Sequence, residues 1–282
     1  MPVPETPRFV ERHSHGDLCR SLEVCETLER GMVGPQKGHY CGGMKSLVIL
    51  AASACLIAVP AASAGASTRS GPTAIASVSV VGSGPIAWSQ VAVRSQPSRT
   101  ATVLKTMTQF RPDFRPRIVL ALSQRDDPKT GKPAWYRITI PGRPNGRTGW
   151  IPAGSASLKP VDRWLVVYRG SRRFEFYVNG KVARAGTIAV GARGTETPTG
   201  IFYVQAKFDP SLPILGAYAF ETSGYSKISD WPGGGVVGVH GTNTPELIGQ
   251  AVSHGCVRLY NSDVQYLRSV VAVGTPIKIV AA

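Results

Sequence analysis

The chain reads as a mainly β protein with one or two short helices, built as a small β module followed by a domain of longer strands. Two patterns predict this. From residue 88 onward, short runs of β-branched and aromatic residues alternate with clusters of Gly, Pro and Asn, the punctuation of strands and turns. Beyond residue 160 the runs lengthen, and only residues 262–270 carry apolar side chains at helical spacing. A composition of 43% hydrophobic and 17% charged residues over 282 residues supplies a core and argues against a disordered chain.

Residues 1–43 hold five basic and six acidic residues, three of the five cysteines (Cys19, Cys25 and Cys41) and no apolar period, and read as non-domain sequence. At Met44, a candidate translation start, the composition changes. Lys45 precedes an apolar run over residues 47–59 and then Ala62-Ser63-Ala64. Residues 44–64 therefore have the three parts of a secretory signal cleaved after Ala64, the apolar run being short for a membrane span. An uncleaved anchor or a lipid-modified Cys55 are alternatives, the latter weakened by Ala52 where lipoprotein signals usually carry Leu. Residues 65–85 are small and polar, as in a linker.

Residues 86–160 contain β-prone runs at 90–93, 102–104, 117–120, 135–140 and 149–151, separated by turn clusters such as Pro141-Gly142-Arg143-Pro144-Asn145-Gly146. A small all-β barrel is expected. The strand at 135–140, this turn and Gly149-Trp150-Ile151 resemble bacterial SH3-like domains, which often bind wall glycans or peptides. Trp135 and Trp150 are expected in the barrel core.

In residues 162–282 the strand runs are 165–168, 174–178, 183–190 and 201–204. Asn179-Gly180 marks a two-residue hairpin between the second and third. Thr197-Pro198-Thr199-Gly200 turns the chain into the fourth. Residues 205–234 read as a long connection bearing Phe208, Tyr218, Phe220, Tyr225 and Trp231, of a length typical of a functional lid. A Gly-rich strand at 235–240, a segment carrying Cys256, a helix at 262–270 with Ser262 or Asn261 as N-cap, and a last strand at 276–280 follow. The boundary near 160 predicts that 162–282 folds alone and retains the site, and that 86–160 contributes affinity for a wall.

Removing residues 1–64 leaves 26 basic and 11 acidic residues, so all of the net charge of +15 stays with the exported part. For an exported chain this charge fits anionic wall polymers or lipid headgroups, and not nucleic acid. Signal removal also leaves Cys256 as the one cysteine, unable to form an internal disulfide.

The two histidines that remain, His240 and His254, both lie within 16 residues of Cys256 in the sequence. An imidazole that accepts the thiol proton raises the thiolate fraction, and a partner on its other nitrogen orients it. Gly255 lets backbone approach a substrate carbonyl, and the amides around Gly255 and Cys256 are candidate oxyanion donors. Arg258 offers a fixed positive charge for a thiolate or a substrate carboxylate, or a structural ion pair with Asp263. Two His and one Cys are also acceptable zinc ligands, but Asp230, Glu246 and Asp263 do not stand at a familiar spacing for a fourth. A papain-like peptidase is disfavoured because its cysteine precedes its histidine.

His240-Gly241-Thr242, with Ser253-His254-Gly255-Cys256-Val257-Arg258-Leu259 and Asn261, closely resembles the active-site signature of the L,D-transpeptidase catalytic domain. Thr197-Pro198-Thr199-Gly200 and Gly274-Thr275-Pro276 match other turns of that family. The resemblance runs from about residue 162 to 280. It implies a β-sandwich and a cysteine that attacks the bond after the third residue of a peptidoglycan tetrapeptide stem, passing the acyl group to an amine. By position it implies Cys256 as nucleophile and His240 as general base, with the Gly241 carbonyl orienting the imidazole and His254 near the oxyanion. Ser253, Gly255, Arg258 and Asn261 fall at substrate-side positions. No cofactor and no metal are implied, and the protein is expected to be a monomer exported to the wall or the periplasmic face of the membrane. Hydrolysis by an L,D-carboxypeptidase or endopeptidase, and wall binding without catalysis, are the alternatives.

Overall fold

The computed structural model describes residues 80–230 and 232–282. The expected signal, cleavage site and translation start, and Trp231, lie outside the described residues.

Residues 82–152 form a six-stranded antiparallel sheet. Its strands are β1 (Gly82–Pro85), β2 (Gln90–Arg94), β3 (Val103–Thr108), β4 (Ile118–Asp126), β5 (Pro133–Thr139) and β6 (Thr148–Pro152), in the order β1-β4-β5-β6-β2-β3. Val91, Val93, Met107, Val119, Ile138 and Ile151 point inward and form its core. That alternation corrects the expectation for the two tryptophans. With Ile138 and Ile151 inward, Trp135 and Trp150 fall on the outer face by strand parity, where both are half-buried and outside the core.

The expected linker is also shorter, because its last residues form β1. A side chain on Gly84 would place its Cβ 1.9 Å from the Ser157 carbonyl oxygen. These residues are small because backbone lies against backbone, not because the chain is loose.

The second sheet has nine strands. They are β7 (Arg163–Tyr168), β8 (Arg173–Val178), β9 (Lys181–Gly191), β10 (Gly200–Phe208), β11 (Ala219–Tyr225), β12 (Val236–His240), β13 (Ala251–Ser253), β14 (Val257–Leu259) and β15 (Pro276–Val280). Their order is β13-β9-β14-β12-β11-β10-β15-β7-β8, and a further β9–β8 pairing closes the sheet on itself. The mainly β, sandwich-like architecture expected from the sequence is thus present. Phe174, Phe176, Ile188, Phe202, Phe220, Val239, Val257 and Ile277 fill its interior. Asn179 (φ 49°) and Gly180 (φ 75°) both take positive φ, as a twist-matched two-residue hairpin requires.

Helix α1 (Asn261–Val270) lays Val264 and Leu267 on this core, and Arg184 holds its first-turn Asp263 through a 2.6 Å ion pair. Asp263, one of the carboxylates weighed as a zinc ligand, is therefore engaged away from the histidines. Two further readings are corrected. Residues 205–234 are not one open connection, since β10 runs to Phe208 and β11 occupies Ala219–Tyr225 within it; Tyr218 and Phe220, expected on a lid, are core residues. The helix begins at Asn261 with Tyr260 at the N-cap position and no side-chain cap bond, because the Asn261 amide is used elsewhere.

Because Gly84 has no room for a methyl group, Gly84→Ala is expected to lower stability by about 1–3 kcal/mol, read from the urea midpoint. An unchanged midpoint would show that β1 is not packed in this way.

Candidate active site

Strands β12 and β14 pair in parallel, with Val239 beside Val257 and His240 beside Arg258. Strand alternation then sends the two valines into the core, both fully buried, and turns Gly238, His240, Cys256 and Arg258 to the opposite face. The Gly238 N–H donates to Cys256 Sγ at 3.3 Å. A Cβ built on Gly238 would lie 3.4 Å from His240 Cδ2 and 3.6 Å from Cys256 Sγ, so imidazole and sulfur converge over this glycine.

The loop before Cys256 is held from within. Ser253 Oγ donates to the Cys256 carbonyl (2.6 Å) and accepts from the Gly255 N–H (3.1 Å), while the Ser253 carbonyl accepts from Ala192 N–H (2.8 Å) and Thr195 Oγ1 (2.9 Å). Thr197 Oγ1 accepts from the Gly191 N–H at 2.9 Å, which ties the Thr-Pro-Thr-Gly turn to the strand beside β13. Gly255 sits at φ +121°, and a Cβ there would meet Ser226 Cβ at 2.7 Å. Ser253 thus serves as the tie of the Cys256 loop, and the Gly255 amide is engaged by it.

His240 is 3% exposed, and its Nδ1 lies 2.6 Å from the Gly241 carbonyl oxygen. A carbonyl only accepts, so Nδ1 carries the hydrogen and Nε2 keeps its lone pair. Asn261 fixes the carbonyl-bearing turn: its Oδ1 accepts from Ala217 N–H (3.0 Å) and Thr242 N–H (3.1 Å), and its Nδ2 donates to the Thr242 carbonyl (3.0 Å). Side chains on Gly216 or Gly241 would reach within 2.3 and 2.2 Å of that Oδ1, so both positions must be glycine for the clamp to close.

Burial, with Arg258 nearby, lowers the His240 pKa to about 4 against the pull of the Gly241 hydrogen bond. Burial raises the Cys256 pKa, opposed by the Gly238 N–H and by Arg258. At neutral pH the resting pair is therefore a thiol facing a neutral imidazole, with the proton on sulfur. Arg258, 4% exposed, is the buried cation whose field favours the thiolate. His254 is half-buried on the same loop as Cys256.

The structure thus gathers Cys256, His240, Gly241, Ser253, Gly255 and Arg258 in one place, with Asn261 behind them as a brace. Sequence reasoning missed Gly238 and Ser226; the Gly-rich character of β12 was the available signal for the first. Among the described residues no three His, Cys, Asp or Glu side chains converge to hold a metal ion. Beside the loop, a cleft of about 760 Å³ is lined by Arg143, Asn145, Arg169, Glu196, Tyr225 and Lys227.

The low His240 pKa makes a signed prediction. Between about 4 and the ordinary 6.5 the unfolded chain binds a proton that the folded one does not. This stabilising contribution is fully present above pH 6.5 and is lost as pH falls through 4, a change of about 3 kcal/mol. Urea unfolding across this range should show a smaller loss in His240→Gln by that amount. An equal loss in both proteins would place the titration elsewhere.

The family model described as the L,D-transpeptidase catalytic domain, YkuD, matches residues 162–279. YkuD of Bacillus subtilis (strain 168), assigned by name to the L,D-transpeptidases, is 33% identical over 175 residues, covering 62% of this chain and 93% of that protein. YqjB of the same organism, similarly named, is 30% identical over 142 residues, covering 45% of this chain and 76% of its own. Among solved structures, the catalytic domain of an Enterococcus faecium L,D-transpeptidase matches at 29% identity and a TM-score of 0.32, covering 43% of this chain and 98% of that one. With the converging thiol and imidazole in place and a relative matched over nearly its whole length, the chain belongs to the L,D-transpeptidase family.

Proposed function

We propose that this protein forms peptidoglycan cross-links through a Cys256 thioester, with His240 as general base. The observation that carries this reading is the convergence of Sγ and imidazole over Gly238, with the imidazole held as an acceptor by the Gly241 carbonyl. His240 Nε2 takes the thiol proton as sulfur attacks the carbonyl carbon of the third stem residue. The C–N bond to the terminal D-Ala then breaks, and the imidazolium returns its proton to the departing amine. An acceptor amine next attacks the thioester and gives up a proton to His240, forming the new amide and restoring the thiol.

A thiol of raised pKa is deprotonated only when this transfer occurs, so Arg258 matters most in the transition state, where negative charge appears on sulfur and then on the carbonyl oxygen. With the Gly255 amide engaged by Ser253, His254 is assigned to the oxyanion side. Members of the family act on peptidoglycan stem peptides. Arg169 and Lys227, which line the cleft, suit the carboxylates of such a stem, and the net charge of +15 suits anionic wall polymers.

No helix among the described residues is long and apolar enough to cross a membrane. Export through residues 44–64 is part of the proposal, and the wall fraction should yield protein beginning at Gly65. A start upstream of Met44 would refute that.

Incubation with disaccharide-tetrapeptide, read by mass, should give cross-linked dimer; tripeptide alone would mean a hydrolase and no change a binder. A carbapenem, a strained amide, should add one drug mass to the protein at Cys256, and Cys256→Ala should gain none. His240→Ala should acylate at least tenfold more slowly at neutral pH and recover in part at alkaline pH, where hydroxide supplies the thiolate. A drug adduct on Cys256→Ala would overturn the nucleophile, and a loss in His254→Ala equal to that in His240→Ala would reassign the base.

A further inference from the structure

Several hydrogen bonds between the two sheets fall on the segment that leads into β12. Asn145, in the turn between β5 and β6, accepts from the Tyr225 N–H on Oδ1 (3.0 Å) and donates from Nδ2 to the Tyr225 carbonyl (2.6 Å). One side-chain amide thus pairs with both backbone groups of Tyr225, as a neighbouring strand would. Arg143 donates through Nε and Nη2 to the Ser226 carbonyl (3.0 and 2.8 Å) and through Nη2 to the Ile228 carbonyl (2.6 Å). Its guanidinium also lies over the Tyr225 ring, 5.2 Å from the centroid. Lys105 Nζ braces the turn by donating to the Pro141 carbonyl at 2.9 Å.

The clamped loop closes on itself where the Ser226 N–H donates to the Gly235 carbonyl at 2.8 Å. Arg143 touches both of its ends, for a Cβ on Gly235 would stand 1.9 Å from the Ile228 oxygen and 2.6 Å from Arg143 Nη2. From there the loop reaches the site by two routes. Ser226 packs against Gly255, the residue before the nucleophile. Gly235 leads directly into β12, which carries Gly238, the donor to Cys256 Sγ, and then His240. Nucleophile and base are thus both joined to one loop whose carbonyls are held by the other sheet.

We propose that Arg143 and Asn145 are positioning residues for catalysis: by holding the Tyr225–Ile228 backbone they set Ser226 against Gly255 and fix β12 relative to Cys256. The six-stranded sheet is then a working part of the catalytic unit rather than an appended binding module. The inference rests on the assignment of Cys256 and His240 above. Its physical basis is the steep dependence of proton transfer and attack on geometry, where about 1 Å of misplacement costs up to about a hundredfold in rate. A clamp released in the resting enzyme should therefore slow the chemical step more than it weakens drug binding.

The test uses the full chain and the loss of carbapenem absorbance on acylation at Cys256, measured against drug concentration. Arg143→Met keeps an apolar stem over Tyr225 and removes the donors; Asn145→Ala removes the paired amide. Each should lower the maximal acylation rate about tenfold while the half-saturating concentration moves less than about threefold. Arg143→Lys, which retains the charge and one donor, should recover part of the rate. Tyr203→Phe is the control, because it deletes another bond between the sheets, Tyr203 Oη to the Ile118 carbonyl at 2.8 Å, without touching the loop. It should lower the unfolding midpoint and leave the acylation rate unchanged.

Wild-type rates in folded Arg143→Met and Asn145→Ala would overturn the proposal, as would an equal slowing in Tyr203→Phe. If Arg143→Met does not fold, Arg143→Lys decides on its own, a several-fold slowing in support and a wild-type rate against. Failure of the wild-type chain to acylate would refute the nucleophile assignment, a different outcome from normal acylation that ignores the clamp.

Discussion

The parallel register between β12 and β14 is the constraint on which the site depends. With Val239 and Val257 side by side in the core, Cys256 and Arg258 share a face with Gly238 and His240. A slip of one residue in either strand would send a valine to the site and a titratable group into the apolar interior. The face that gathers Cys256 and His240 is therefore specified by hydrophobic burial on its reverse side, which is why short strands of three and five residues suffice to position it.

Burial then sets the chemistry. A fully hydrated pair of this kind would have a histidine partly protonated near neutrality and a thiol closer to ionising. Here burial pushes the two apart, His240 down to about 4 and Cys256 up, so each rests in its uncharged form. The cation at Arg258 opposes the rise on sulfur while reinforcing the fall on imidazole. One charge thus keeps the base unprotonated and lowers the cost of the thiolate, and neither effect needs a carboxylate orienting the histidine. The Gly241 carbonyl fills that orienting place, a neutral group that fixes the tautomer without drawing a second proton onto the ring.

Much of this was legible in the residues, and the boundary of legibility has physical causes. The Asn179-Gly180 hairpin was readable because a two-residue turn needs positive φ at both positions, which is a local property. The cluster of His240, His254 and Cys256 was readable because those side chains are scarce in residues 65–282. The uses of Asn261 and Ser253 were not. Both sit at positions that suggest contact with substrate, yet their polar atoms are satisfied by backbone brought from residues 217 and 242 in one case and by the loop's own peptides in the other. Strand β11 was missed because Phe220 alternates with small and polar residues in a stretch read as irregular, and only its pairing with β10 and β12 makes it a strand. Trp135 and Trp150 were placed inside because aromatics usually are, but the parity set by Ile138 and Ile151 outweighs that preference.

The glycines show why the remaining part of the site could not be read from side chains at all. Gly216 and Gly241 make room for the Asn261 oxygen, Gly255 for Ser226, and Gly235 for the Ile228 carbonyl and Arg143. At each of these points a polar group, a backbone or a short side chain approaches where a Cβ would stand, so the site is assembled by close approach to main chain rather than by long side chains reaching inward. Such an assembly is rigid, since each approach leaves little space to relax. It is also dependent on whatever holds the contributing loops. Among its described residues, loop 226–235 is tied internally by the Ser226–Gly235 bond and by the Ser226 hydroxyl to Ile228, and the Ser226 and Ile228 carbonyls are taken up by Arg143. The expectation that residues 162–282 form a self-sufficient unit treats the strand sequence as the boundary, whereas the hydrogen bonds of the loop that packs against Gly255 cross it.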